Sequence, residues 1–142
     1  MAEQQIADNR IGLLLCDDLI FSSRITGTAK ALELRILPAR SVEALRTLAL
    51  ERQPSCLIVD LSHPELKISD LIAFLRETCS PVPRVVGYGS HVDTASLQAA
   101  REAGCDPVLP RSKFVEELPL ALPTWMAGCA IIPNKPNPAR TN

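Results

Sequence analysis

The sequence predicts an α/β fold, a sheet of five parallel strands between two layers of helices, and three observations predict it. Short apolar runs of strand length alternate with helix-patterned segments five times along the chain. Two of those runs, Ile11 to Cys16 and Cys56 to Val59, contain no charged residue, as expected of strands buried on both faces. Both runs end in acids, Asp17 and Asp18 after the first and Asp60 after the second. Alternating strands and helices imply right-handed crossovers, hence a three-layer α/β/α sandwich.

The first strand, about residues 11 to 16, leads into a helix over residues 19 to 33, where Phe21, Ile25, Ala29 and Leu32 recur at helical spacing. Leu34 to Leu37 reads as a short second strand. Ser41 caps a second helix carrying Val42, Leu45, Leu48 and Ala49, and Gln53-Pro54 ends it, because proline disfavours helical geometry in the residue before it. Cys56 to Asp60 is the third strand. Past Pro64, the third helix has Ile68, Leu71, Ile72 and Leu75 on one stripe, and Pro81-Val82-Pro83 separates it from a fourth strand, Arg84 to Tyr88. Asp93 or Thr94 caps a fourth helix through Leu97 and Ala100 that stops at Gly104. Pro107 to Pro110 is a proline-flanked fifth strand at a sheet edge, and a short last helix runs from Ser112 through Phe114 and Leu118. From about Pro123 the pattern fades, and the stretch from Pro133 to Asn142 has the composition of a solvated, partly disordered tail.

At 142 residues the chain fits one domain able to bury its own core. We therefore expect an N-terminal extension over residues 1–9, a domain over 10–122 and a tail over 123–142. With 15 basic against 16 acidic residues, nothing points to broad attraction for nucleic acid or for an anionic membrane. The five cysteines are widely spaced and form no Cys-x-x-Cys pair, which argues against a disulfide framework and against a zinc site. Cys16 and Cys56 fall inside apolar runs and read as small core residues. The N-terminus lacks a basic patch followed by a signal-length apolar stretch, and no run approaches a membrane span, so a reducing cytoplasm is the expected setting.

Sheets of this kind place their sites beyond the carboxyl ends of the strands. The segments there are Asp17-Asp18, Asp60 to Pro64, Gly89-Ser90-His91 and Pro110 to Lys113. Three carboxylates sharing one rim crevice are costly unless a divalent cation, a proton or a basic side chain offsets them. Asp18 also reads as a cap for the first helix. His63 and His91 read as loop polar residues, and Trp125 as a residue that packs the final segment down. Several enzyme classes lack their motifs. An aspartyl-phosphate hydrolase wants a second Asp where Ser62 stands, and a dinucleotide site wants a Gly-x-Gly-x-x-Gly turn after the first strand. A cobalamin site wants Asp-x-His-x-x-Gly, whereas His63 stands one place late with no glycine, and no Gly-x-Ser-x-Gly elbow is present.

These residues resemble a response-regulator receiver domain of two-component, phosphorelay signal transduction, over about residues 10 to 120. Receivers carry an acidic pair after the first strand, a phosphoacceptor Asp after the third with Pro four residues later, Thr or Ser after the fourth and Lys after the fifth. Asp17 and Asp18, Asp60 with Pro64, and Ser90 match the elements after the first, third and fourth strands. The resemblance implies the flavodoxin-like strand order 2-1-3-4-5. It further implies Mg²⁺ held by Asp17, Asp18, Asp60 and the main-chain carbonyl of Ser62, with Asp60 as phosphoacceptor and Ser90 on a phosphoryl oxygen. No enzymatic activity beyond slow autodephosphorylation is expected.

The fifth motif departs from the pattern. Gly104-Cys105-Asp106-Pro107-Val108-Leu109-Pro110-Arg111 puts Arg111 in the lysine slot, with Ser112 where proline usually follows and Lys113 as a substitute. Arginine and lysine differ in reach and geometry. Gly87-Tyr88-Gly89 is likewise glycine-rich, with an aromatic where aliphatic core is usual. Two readings follow: a stand-alone receiver phosphorylated on Asp60 by a histidine kinase or phosphotransfer protein, or a pseudo-receiver that binds partners without phosphorylation. With only about 20 residues after the last helix, no DNA-binding helix pair is expected to follow it. Output is therefore expected by protein contact through the face of the fourth helix, fifth strand and fifth helix, around Gln98, Val108, Phe114 and Glu117, with self-association through that face as one form of it.

Overall fold

A computed structural model of the protein describes residues 10–128. The elements in chain order are β1 (Ile11–Leu15), α1 (Leu19–Ala31), β2 (Arg35–Ala39), α2 (Val42–Arg52), β3 (Cys56–Asp60), α3 (Ile68–Thr78), β4 (Arg84–Gly89), α4 (Thr94–Ala103), β5 (Val108–Pro110) and α5 (Arg111–Met126). All strand pairs are parallel, in the order β2-β1-β3-β4-β5. The expected α/β/α sandwich and its 2-1-3-4-5 order are therefore observed.

Successive side chains on a strand point to opposite faces, so the unbroken apolar runs feed two cores at once. Leu13, Leu15, Leu57, Val59 and Val85 pack with Leu45 and Ala49 of α2, Leu71, Ile72 and Leu75 of α3 and Leu97 and Ala100 of α4. The alternate residues, Leu14, Cys16, Ile58, Val86 and Tyr88, pack with Phe21, Ile25 and Ala29 of α1 and with Phe114, Leu118, Leu122, Trp125 and Met126 of α5. Burial pushes the thiol of Cys56 up to about 12 against a weaker pull from Arg84, and burial does the same to Cys105, as befits core cysteines.

Local signals act where they were read. The Ser41 hydroxyl accepts from the Ala44 N–H at 3.1 Å, Gln53 ends α2 in the left-handed region, and Gly104 ends α4 with φ of 118°. Pro38 lies in β2 and Pro110 in β5, the two edge strands, where a missing N–H is tolerated. The first helix is shorter than expected, ending at Ala31, and β2 sits further along, because Glu33 turns the chain with φ of 61°.

The last helix differs most from expectation. It begins at Arg111 and runs 16 residues to Met126 through Pro119 and Pro123. The boundary at 122/123 thus cuts through a packed helical turn. Trp125 stacks on Phe114 with ring centroids 5.7 Å apart, as its expected packing role requires, and the Ser55 hydroxyl donates to the Met126 carbonyl at 2.7 Å. The expected extension over 1–9 and the tail beyond Gly128 lie outside the described residues. No helix among the described residues is long and apolar enough to cross a membrane.

Candidate functional site

Asp60 closes β3 beside Tyr88 of β4, and Gly89 pairs with Pro110 of β5, so the loops carrying Asp60, Ser90 and Arg111 are neighbours on one rim. The Asp60 residue is only 5% exposed. Its Oδ1 accepts from the Ser62 N–H at 2.9 Å and from the Ser62 hydroxyl at 2.7 Å, a tight local turn that the Asp-x-Ser spacing makes possible. Its Oδ2 faces the Arg111 Nη2 at 3.9 Å. Both carboxylate oxygens are thus engaged by protein groups.

Arg111 reaches Asp60 because it is the first residue of α5 and its guanidinium lies on an aromatic bed. Its Cζ sits 4.6 Å from the centroid of Phe21 and 5.6 Å from that of Tyr88. Tyr88 in turn lies 4.7 Å from Phe114 in a stacked pair, which explains the aromatic in β4. The flanking glycines are explained too. A Cβ on Gly87 would lie 3.2 Å from Leu61, which crosses this stretch of β4 directly after Asp60. The Tyr88 hydroxyl is buried without a hydrogen-bond partner, and burial, with Cys16 and Asp60 adding to it, pushes its ionisation far up. The Cys16 thiol donates to the Asp18 carbonyl at 3.4 Å.

The structure does not gather Asp17, Asp18 and Asp60 into one group. Asp17 and Asp18 are exposed, and Asp18 Oδ1 accepts from the Ile20 and Phe21 N–H groups, both at 3.0 Å, as the N-cap of α1. Among the described residues no three His, Cys, Asp or Glu side chains form a group able to hold a metal ion. The capping reading of Asp18 therefore describes its geometry, and the charge that offsets Asp60 is the guanidinium of Arg111.

The remaining candidates separate cleanly. Ser62 engages Asp60 through its N–H and hydroxyl. Ser90 is exposed, and its Oγ accepts from the Val92 N–H at 3.3 Å. Lys113 does not substitute for Arg111: its Nζ lies 3.7 Å from Glu116 on the outside of α5. His63 is buried, with Nε2 2.8 Å from the Arg40 carbonyl and Nδ1 accepting from the Glu65 N–H at 3.2 Å, so it ties two rim loops together. On the expected docking face, Phe114 and Val108 are corrected to core residues, at 0% and 6% exposure, while Gln98 and Glu117 reach the surface. Arg24 was passed over in the sequence, although it stands three residues after Phe21 and so shares its helix face.

No family model and no curated protein matches this sequence. Solved structures do match. A response-regulator signal receiver domain from Bermanella marisrubri is 24% identical, with 85% of this chain and 99% of that one covered and a TM-score of 0.70. The beryllofluoride-activated NtrC4 receiver domain dimer is 17% identical, covering 82% of this chain and 96% of that one at a TM-score of 0.71. A Burkholderia pseudomallei response regulator with a phosphorylated aspartic acid, calcium ion and citrate is 21% identical, covering 79% and 65% at 0.67. The fold is that of response-regulator receiver domains.

Proposed function

We propose that this chain is a receiver-fold signalling module of a two-component pathway that acts by protein contact, with Asp60 held by Arg111 and Ser62 in place of a metal-dependent phosphorylation cycle. One observation carries the reading: both oxygens of Asp60 are engaged by this chain's own groups, while Asp18 is turned to the end of α1. A guanidinium is always charged, and here it is positioned by two aromatic rings, so it neutralises the buried carboxylate without a cation from solution. Output then depends on the surface of α4, β5 and α5, where Gln98 and Glu117 are accessible to a protein partner.

The other reading, phosphorylation of Asp60 by a histidine kinase or phosphotransfer protein with Mg²⁺, is decided by one experiment. The full chain is incubated with Mg²⁺ and acetyl phosphate and its intact mass is measured. We expect no adduct, and we expect amide shifts around Asp17 to be unmoved by Mg²⁺ alone. One added phosphate that Asp60→Asn abolishes would overturn the proposal and restore the phosphoacceptor role.

A further inference from the structure

Beside Asp60, on the α1 and α5 side of the rim, lies a cavity of about 630 Å³ whose lining includes Phe21, Arg24, Ser90, His91, Arg111 and Ser112. Asp60 is not among the lining residues. The chain as a whole balances 15 basic against 16 acidic residues, yet this cavity gathers two arginines and a histidine with no acid among them. That local imbalance is a positive potential in a concave site, where low-dielectric walls focus it.

The donors are also unclaimed. Among the described residues, Arg24 and His91 make no salt bridge and no side-chain hydrogen bond. Arg111 keeps a side chain 43% exposed, and its contact with Asp60 at 3.9 Å engages only one end of a five-donor fork. Ser90 and Ser112 line the same space. Pro110 and Val115 supply an apolar wall next to these polar groups, the mixture typical of small-molecule sites of this size.

We propose that this cavity binds a phosphate monoester of nucleotide size, its phosphate gripped between Arg24 and Arg111 and its less polar body resting on Val115 and Pro110. Arginine forks match phosphate oxygens in pairs, which a solvated point charge does not do. The proposal does not need Asp60 as a ligand, because that residue does not line the cavity. A ligand on Arg111 would nonetheless compete with Asp60 for the same guanidinium, which gives the module an effector input distinct from phosphorylation.

The test is titration of the full chain with AMP, inorganic phosphate and adenosine, followed by calorimetry and by amide shifts. AMP is expected to saturate, to move the amides of Ser90, His91 and Ser112, and to bind more tightly than inorganic phosphate, while adenosine does not saturate. Arg24→Gln, at an exposed position, is expected to weaken AMP about tenfold through the loss of a charge-assisted pair. Arg52→Gln, on α2 against the other face of the sheet, is the control that leaves affinity unchanged. Absence of saturation by AMP, equal affinities for AMP and adenosine or for AMP and inorganic phosphate, or equal losses in the two variants would each overturn the proposal. Asp60→Asn retains AMP binding, so failure here is separable from failure of the mass measurement on Asp60.

Discussion

At the scale of single residues, the pair of Asp60 and Arg111 tests what holds an acidic side chain in a nearly closed position. The carboxylate side chain is 7% exposed and the guanidinium 43%, so the pair is neither a free surface contact nor a fully buried one. Solvent reaching Arg111 screens part of the attraction, and the rings of Phe21 and Tyr88 add a further contact of about 0.5–1 kcal/mol. Arg111→Ala is expected to lower stability by about 1–2 kcal/mol, chiefly because Asp60 is left without its counter-charge. Asp60→Ala in the same background should cost less than it does alone, leaving a coupling of about 1 kcal/mol in a double-mutant cycle read from urea midpoints. A coupling near zero would mean that the Ser62 turn alone holds the carboxylate. The sequence put both residues at the rim but could not choose between Arg111 and Lys113, since the choice depends on which way the first turn of α5 faces.

At the scale of elements, capped helix ends and apolar stripes were legible in the sequence, whereas the ends of the first and last helices that lack such caps were not. Ser41, Asp93 and Gly104 stand where capping chemistry requires them, because these contacts span only a few residues. Asp93 Oδ1 accepts from the Ser96 N–H at 3.1 Å, and hydrogen bonding from Ser96 holds its carboxyl below the usual carboxylate range. A carboxyl lowered on folding contributes stability that is present above its unfolded value and is lost as pH falls through the folded one. Protection of the amides in the first turn of α4, corrected for the intrinsic pH dependence of exchange, is therefore expected to fall as pH drops below the ordinary carboxylate range, and Asp93→Ala to remove that dependence while leaving the turn frayed at neutral pH. An unchanged profile in the variant would refute the cap as its source. Asp18 shows the limit of such reading: the same carboxylate fits a metal site and a helix cap, and its contacts with Ile20 and Phe21, both through Oδ1, show the cap.

For the whole molecule, strand order and the two cores followed from the pattern because parallel strands announce themselves as unbroken apolar runs, whereas the end of α5 did not. Pro119 and Pro123 each remove a helical donor and read as breakers, yet both are exposed, and the helix continues because its opposite side is buried against the sheet. Trp125 and Met126 are 4% and 3% exposed, and Met126 closes over Gly12 of β1 so tightly that a Cβ there would meet its Sδ at 2.8 Å. Gly12 thus marks a close approach between the first strand and the last helical turn, a pairing that no local window of sequence reveals. Comparing chains that end at Gly128 and at Leu122 isolates that turn. Removing it exposes the α1 and α5 side of β1 and strips a large aromatic from Phe114, and loss of a buried tryptophan alone is a large-to-small core change that costs about 3–5 kcal/mol. Against a domain stability of about 5–15 kcal/mol, the shorter chain should unfold at a much lower urea midpoint, and Trp125→Ala in the longer chain should reproduce most of the shift. Equal midpoints for the two chains would show that α5 holds its place through Phe114, Leu118 and Leu122 alone.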